Sequence, residues 1–213
     1  MHLLLDLDGT LTDSFPGISR CINHALKELG HDEVSEDSFR TNVGTPLALL
    51  FGMLLKTEDP DLIDRAVIAY RSRFDRIGIL ENTLYPGVLE ALEQFQRWGH
   101  SLEIVTVKPT PAARRVVSHS SIDQYFATIH GSDPQVPHRT KANVLRAALK
   151  GRDRVRMAMI GDHTDDVAAA KSTGIQAVAV GWGYGRASDL KAALPDYFAE
   201  TVSDLVYWVQ RAG

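Results

Sequence analysis

Two aspartates one residue apart, Asp6 and Asp8, follow the apolar run Leu3 to Leu5 and lead directly into Gly9 and Thr10. The run reads as a strand, Leu3–Leu7, whose period of two turns both carboxylates to the same side until the chain bends at Gly9. In open α/β sheets the C-terminal ends of the strands are where ligands bind. Two adjacent, poorly solvated carboxylates repel and coexist only with a cation or a shared proton between them. A second acidic group, Asp162, Asp165 and Asp166, comes after Gly161 at the end of the apolar run Val155–Ile160. Each residue alone has a plainer use. Asp before Gly is common turn chemistry, and Asp162 or Asp165 suits the cap of a following helix. His163 reads as a polar loop residue, and Cys21, on an otherwise apolar helix face, as core.

The elements that must position these groups alternate. Short aliphatic runs at Leu3–Leu7, Leu102–Val107, Phe126–Ile129, Val155–Ile160 and Ala177–Val180 are expected strands. Helical periods fall at 87–98, 111–119, 140–150 and 166–173, with Gly99, Gly151 and Gly174 as stops. The pattern predicts an α/β fold, a doubly wound, mainly parallel Rossmann-like sheet with helices on both faces. Between Ser14 and about Leu80 no strand is expected. Helical patterns at 16–29, 36–42, 46–55 and 60–76 predict an inserted helical cap over residues 15–81, with the α/β catalytic core in 1–14 and 82–213.

The chain resembles the haloacid dehalogenase-type phosphatase superfamily, whose opening signature Asp-x-Asp-Gly-Thr stands here at Asp6 to Thr10. A strand ending in Ser or Thr is matched by Ile104-Val105-Thr106, a lysine by Lys141 in Arg139-Thr140-Lys141, and Gly-Asp-x-x-x-Asp by Gly161 to Asp166. All four fall in family order at or just past strand ends, over essentially the whole chain. The resemblance implies Asp6 as nucleophile, forming an aspartyl-phosphate, and Asp8 as acid and base for leaving group and water. It implies Mg²⁺ on Asp6, the Asp8 backbone carbonyl and Asp162. Asp166, with Asp165 beside it, would orient Lys141 or a metal-bound water. Thr106, Lys141 and backbone N–H groups near Val107 and Gly9 would hold the phosphate.

Asp8 favours phosphoryl transfer, because dehalogenase members have no use for the second aspartate. A helical insertion after the first motif is similar to the caps of phosphoglycolate phosphatases and β-phosphoglucomutases. Gly181-Trp182-Gly183-Tyr184-Gly185, Val43-Gly44-Thr45-Pro46-Leu47 and Lys108-Pro109 resemble the phosphoglycolate phosphatases in particular. Two features depart from them: Val107 stands where many relatives have Asn, and no Lys-Pro-x-Pro surrounds Lys141. The expected activity is therefore Mg²⁺-dependent hydrolysis of a small phosphoglycolate-like phosphomonoester. The alternatives are a mutase of the β-phosphoglucomutase type and a nucleotidase or pyrophosphatase. A dead regulatory domain would have no reason to keep Asp6, Asp8, Thr106, Lys141 and Asp162 together. Gly44, Thr45 and Leu47 are the candidates for substrate choice, with Thr45 alternatively a helix N-cap. Lys141 is the expected phosphate-binding lysine, with Lys108 the alternative; Lys108 lies next to the pocket but, before Pro109, is expected to point outward.

The 213 residues suffice for a sizeable core. A net charge of −4 argues against nucleic acid as main partner. The opening apolar run is too short for a leader or membrane span, and the single cysteine excludes an internal disulfide. A cytoplasmic monomer or homodimer acting on a small phosphate ester, with no membrane partner, is expected.

Overall fold

The computed structural model describes residues 1–43, 45–133 and 140–212, the side chains of Asp37 and Thr41 excepted. Its strands are β1 His2–Leu5, β2 Thr12–Asp13, β3 Thr83–Leu84, β4 Ser101–Pro109, β5 Thr128–Ser132, β6 Met157–Gly161, β7 Gln176–Val180 and β8 Tyr197–Ala199. Its helices are α1 Phe15–Glu28, α2 Leu47–Leu55, α3 Pro60–Arg76, α4 Val88–Arg97, α5 Thr110–His119, α6 Lys141–Ala148, α7 Thr164–Thr173, α8 Ala187–Ala192 and α9 Val202–Ala212. The chain divides into two compact units, Met1–Asp13 with Thr83–Gly213, and Ser14–Asn82.

In the first unit six strands form one sheet in the order β5-β4-β1-β6-β7-β8, and every pair in it is parallel. Such a sheet must be covered on both faces, and β1 shows how. Leu4 joins Val144, Leu145, Met159, Val167 and Leu190 in the core under α6, α7 and α8. Leu5 faces the other way, toward Val88, Leu92, Phe95 and Leu205 of α4 and α9. The strand order reverses around β1: the chain moves outward from β4 to β5, then returns to β6 on the opposite side. The crevice at such a reversal is where open α/β sheets bind ligands. Register brings Leu5 level with Ile104 and with Ile160, so Asp6 leaves the sheet beside β4 and at the end of β6.

Glu103 on β4 is 6% exposed and is held by His130 at 2.7 Å and by Arg152 at 2.9 and 2.7 Å. His130 foremost, then Arg152, outweigh burial and lower the Glu103 carboxyl to about 2. A carboxyl lowered from 4.5 adds stability above its unfolded pKa and loses it as pH falls through the folded one. Glu103→Gln should cost up to about 3 kcal/mol at neutral pH. In urea denaturation the gap to the parent protein should narrow below pH 4.5 and close near pH 2.

The second unit is helical. Cys21, Ile22, Ala25 and Leu26 of α1 and Ala66, Ala69 and Tyr70 of α3 are buried, and the two helices pack together. Phe51 of α2 meets the Tyr70 ring edge-on at 6.3 Å. Arg73 forks onto both oxygens of Glu81 at 2.7 and 3.1 Å, securing the end of α3 to the segment that leaves the unit. The helix expected at 36–42 is instead two 3₁₀ turns, Glu36–Ser38 and Arg40–Asn42. The Ser38 hydroxyl donates to the Ser35 carbonyl at 2.6 Å, a local side-chain bond that competes with helix propagation. Among the described residues, no helix is long and apolar enough to cross a membrane.

Candidate active site

Past β1 the chain curls onto one carbonyl. Leu7 O accepts the N–H groups of Leu11 and Thr12, both at 2.9 Å. Gly9 makes the bend at φ +84°, a conformation costly for any residue with a Cβ. The curl buries Asp6, 8% exposed, and leaves Asp8 half-buried. Thr106 is buried within β4, three residues before that strand ends, and Asp162 follows β6 directly. Thr140 caps α6 by accepting the Asn143 N–H, which puts Lys141 in the first turn of that helix.

These side chains converge. The Lys141 ammonium lies 2.7 Å from Asp6 and 2.8 Å from Asp166 and donates to the Val105 carbonyl at 3.1 Å. Burial opposes its charge, but Asp166 and Asp6 outweigh burial and hold its pKa above the ordinary lysine range. The carboxylates are less well served. Burial foremost, with Asp166 and against Lys141, pushes Asp6 up to about 6. Burial, Asp6 and Asp166 push Asp162 up to about 7. Asp6, Asp162 and Asp166 present oxygens within 4.8 Å of one another. One ammonium does not neutralise three buried carboxylates, and an all-oxygen donor set suits a hard divalent cation. The residues therefore fit a metal such as Mg²⁺.

Asp162 is gripped on both oxygens, by the Thr10 hydroxyl at 3.1 Å and the Tyr184 N–H at 2.8 Å. The loop after β7 reaches this close only because residue 183 is glycine. A Cβ there would run into the Asp162 side chain and the Gly9 carbonyl. Asp166 accepts the His163 N–H at 3.0 Å, and His163 Nδ1 accepts the Asp165 N–H at 3.2 Å, a reciprocal cap on α7.

Three expectations need correction. Asp165 is not part of the cluster: its side chain is 74% exposed, because one step along a helix turns it about 100° from Asp166. His163 lies in the bend before α7, as expected of a loop residue, and in addition caps that helix. Lys108 points inward, 2.5 Å from Asp8; it lies two residues beyond Thr106 on a strand and so shares its face. Thr45 is not the N-cap of α2, a position taken by Pro46. Val107 is 37% exposed, and its carbonyl accepts the Ser132 hydroxyl at 2.7 Å. In the second unit Thr45 precedes the N-cap of α2 and Leu47 opens that helix, while Gly44 and Arg139 fall outside the described residues. Thr10, Trp182 and Tyr184 have no site role legible in the sequence, although the Gly-x-Gly-x-Gly spacing of 181–185 signals close backbone approach.

Comparison with known proteins agrees with this geometry. A 5′-nucleotidase of Pseudomonas aeruginosa is 34% identical, covering 96% of this chain and 93% of its own. A phosphoglycolate phosphatase of Vibrio parahaemolyticus is 31% identical over the same shares of the two chains. The solved structure of a haloacid dehalogenase-like family hydrolase from Streptococcus pneumoniae superposes with TM-score 0.89 at 33% identity, covering 97% of each chain. Residues 3–180 match the family model described as haloacid dehalogenase-like hydrolase, and the chain belongs to that family.

Proposed function

We propose that the protein is a phosphoric monoester hydrolase that carries its substrate's phosphate on Asp6 and requires Mg²⁺. The observation that carries this reading is the placement of Asp6, at the central strand end, against both the Lys141 ammonium and the Asp162 carboxylate. An Asp6 oxygen attacks phosphorus as the bond to the leaving oxygen breaks, and Asp8 gives that oxygen a proton. Asp8 then takes a proton from the water that attacks phosphorus, which frees Asp6 and inorganic phosphate. Lys141, Thr106 and the N–H groups around Val107 and Gly9 hold the phosphate oxygens, and Asp166 keeps Lys141 in place. Asp6, the Asp8 carbonyl and Asp162 would hold Mg²⁺, which would supply charge neutralisation on the phosphate.

The leaving group must lie next to Asp8, where Lys108 adds a positive charge. This favours a leaving group with an anion of its own, as in phosphoglycolate, over the neutral nucleoside released by a nucleotidase. Groups that bind phosphate meet the same phosphate in every ester, so the ranking of substrates is assigned to contacts with the rest of the molecule. Thr45 and Leu47 are the proposed contributors.

The test is phosphate release across a metabolite panel, with p-nitrophenyl phosphate as the generic ester. Chelation should abolish release, Mg²⁺ should restore it, and Ca²⁺, which accepts more ligands, should inhibit. Full activity in excess chelator would exclude the metal reading. An isomerised sugar phosphate in place of free phosphate would mark a mutase.

A further inference from the structure

The loop after β7 has no part in the steps above, yet it makes three directed bonds around the site. Trp182 Nε1 donates to the Thr10 carbonyl at 3.0 Å. The Tyr184 N–H donates to Asp162 Oδ2 at 2.8 Å, and the Tyr184 hydroxyl to Asp13 Oδ1 at 3.2 Å. The Thr10 hydroxyl, on Asp162 Oδ1 at 3.1 Å, closes a ring through Asp162, Tyr184, Trp182 and Thr10. Asp13 hangs from that ring. It ends β2, which pairs with β3, and the chain leaves the first unit after β2 and re-enters it at β3.

We propose that Trp182 and Tyr184 are positioning residues, which set the Asp162 carboxylate for a metal ion and tie it to the β2–β3 ribbon. The inference rests on Asp162 being a metal ligand. A carboxylate with one donor on each oxygen cannot rotate about its last torsion, so its remaining lone pairs keep fixed directions. An ion drawn to Asp162 restrains the loop through the Tyr184 N–H and restrains β2 through the Tyr184 hydroxyl. The coupling is reciprocal: whatever orders the ribbon favours the ion equally.

Hydrogen exchange on the full chain, with and without Mg²⁺, reads the link, and calorimetry reads Mg²⁺ affinity. In the parent protein Mg²⁺ should slow exchange around Thr12–Asp13 and Thr83–Leu84 by at least about fivefold, the low end of ordinary site-to-site coupling. Tyr184→Phe keeps the backbone donor, so it should bind Mg²⁺ nearly as well as the parent yet lose most of that slowing. Trp182→Phe frees Thr10 and should weaken Mg²⁺ binding about tenfold, a usual loss for a group supporting a ligand. A loop that merely anchors the fold would lower the metal-free melting temperature and leave Mg²⁺ affinity unchanged. That result, or full slowing in Tyr184→Phe, overturns the proposal. If Tyr184→Phe fails to fold, the Trp182→Phe affinity decides. A parent protein that binds Mg²⁺ without slowing the ribbon sinks the coupling and spares the metal site. One that binds no Mg²⁺ sinks both.

Discussion

Asp6→Asn should reduce turnover below about one percent of the parent rate, because an amide cannot replace a carboxylate as the covalent nucleophile. The fold should survive the change. Burial already pushes the Asp6 carboxyl up to about 6, so at neutral pH the metal-free protein holds a charge it would shed. A group whose folded pKa is raised costs stability as pH rises through that value. The neutral amide removes this cost, and metal-free Asp6→Asn should melt no lower than the parent at pH 7. The pairing of lost turnover with kept stability is the signature to seek. Activity retained above the one-percent level would end the aspartyl-phosphate mechanism, and lost activity with a lower melting temperature would say only that the site had collapsed.

The second large effect is expected at Lys141. Its ammonium, 4% exposed, is the cation within 3 Å of both Asp6 and Asp166. Lys141→Ala removes the charge that offsets phosphate and leaves buried carboxylates facing each other. We expect kcat/KM to fall by about 10³-fold, the scale seen when one donor to a developing oxyanion is removed. A stability loss of about 3 kcal/mol should accompany it, because breaking a buried pair strands a charge. Lys108→Ala acts elsewhere. Lys108 sits on Asp8, at the side of the leaving group, so its loss should be milder on p-nitrophenyl phosphate and greater on esters with an anionic leaving group. If Lys108→Ala proved the more severe on the generic ester, the assignment of the phosphate-binding lysine would pass from Lys141 to Lys108.

Much of this site is written locally. Apolar runs with period two and helical runs with stops at Gly99, Gly151 and Gly174 are decided by neighbouring residues, which is why five of the six sheet strands and the helices that alternate with them are legible. The short motifs are legible for the same reason: Asp6 and Asp8 sit within a stretch of three residues, and Asp162 to Asp166 within five. β8 and the two-residue strands β2 and β3 carry too few residues to show a period. Helices α8 and α9 follow the glycine-rich stretch 181–185, beyond the motifs that carry the family resemblance.

What the chain decides by itself is therefore the kind of sheet, the helical insertion and the presence of two acidic motifs at strand ends. Only the tertiary structure decided which charges meet. Register beside β1 and the curl onto Leu7 set Asp6 against Lys141, 135 positions away in sequence, and Lys108 against Asp8, 100 positions away. The helical turn that separates Asp165 from Asp166 decided which carboxylate joins the cluster. The bonds from Trp182 and Tyr184 to Thr10, Asp13 and Asp162 join segments more than 20 residues apart. Periodicity records which side of its own element a residue faces. Which partner waits on that side depends on how distant elements pack, and no local pattern encodes it.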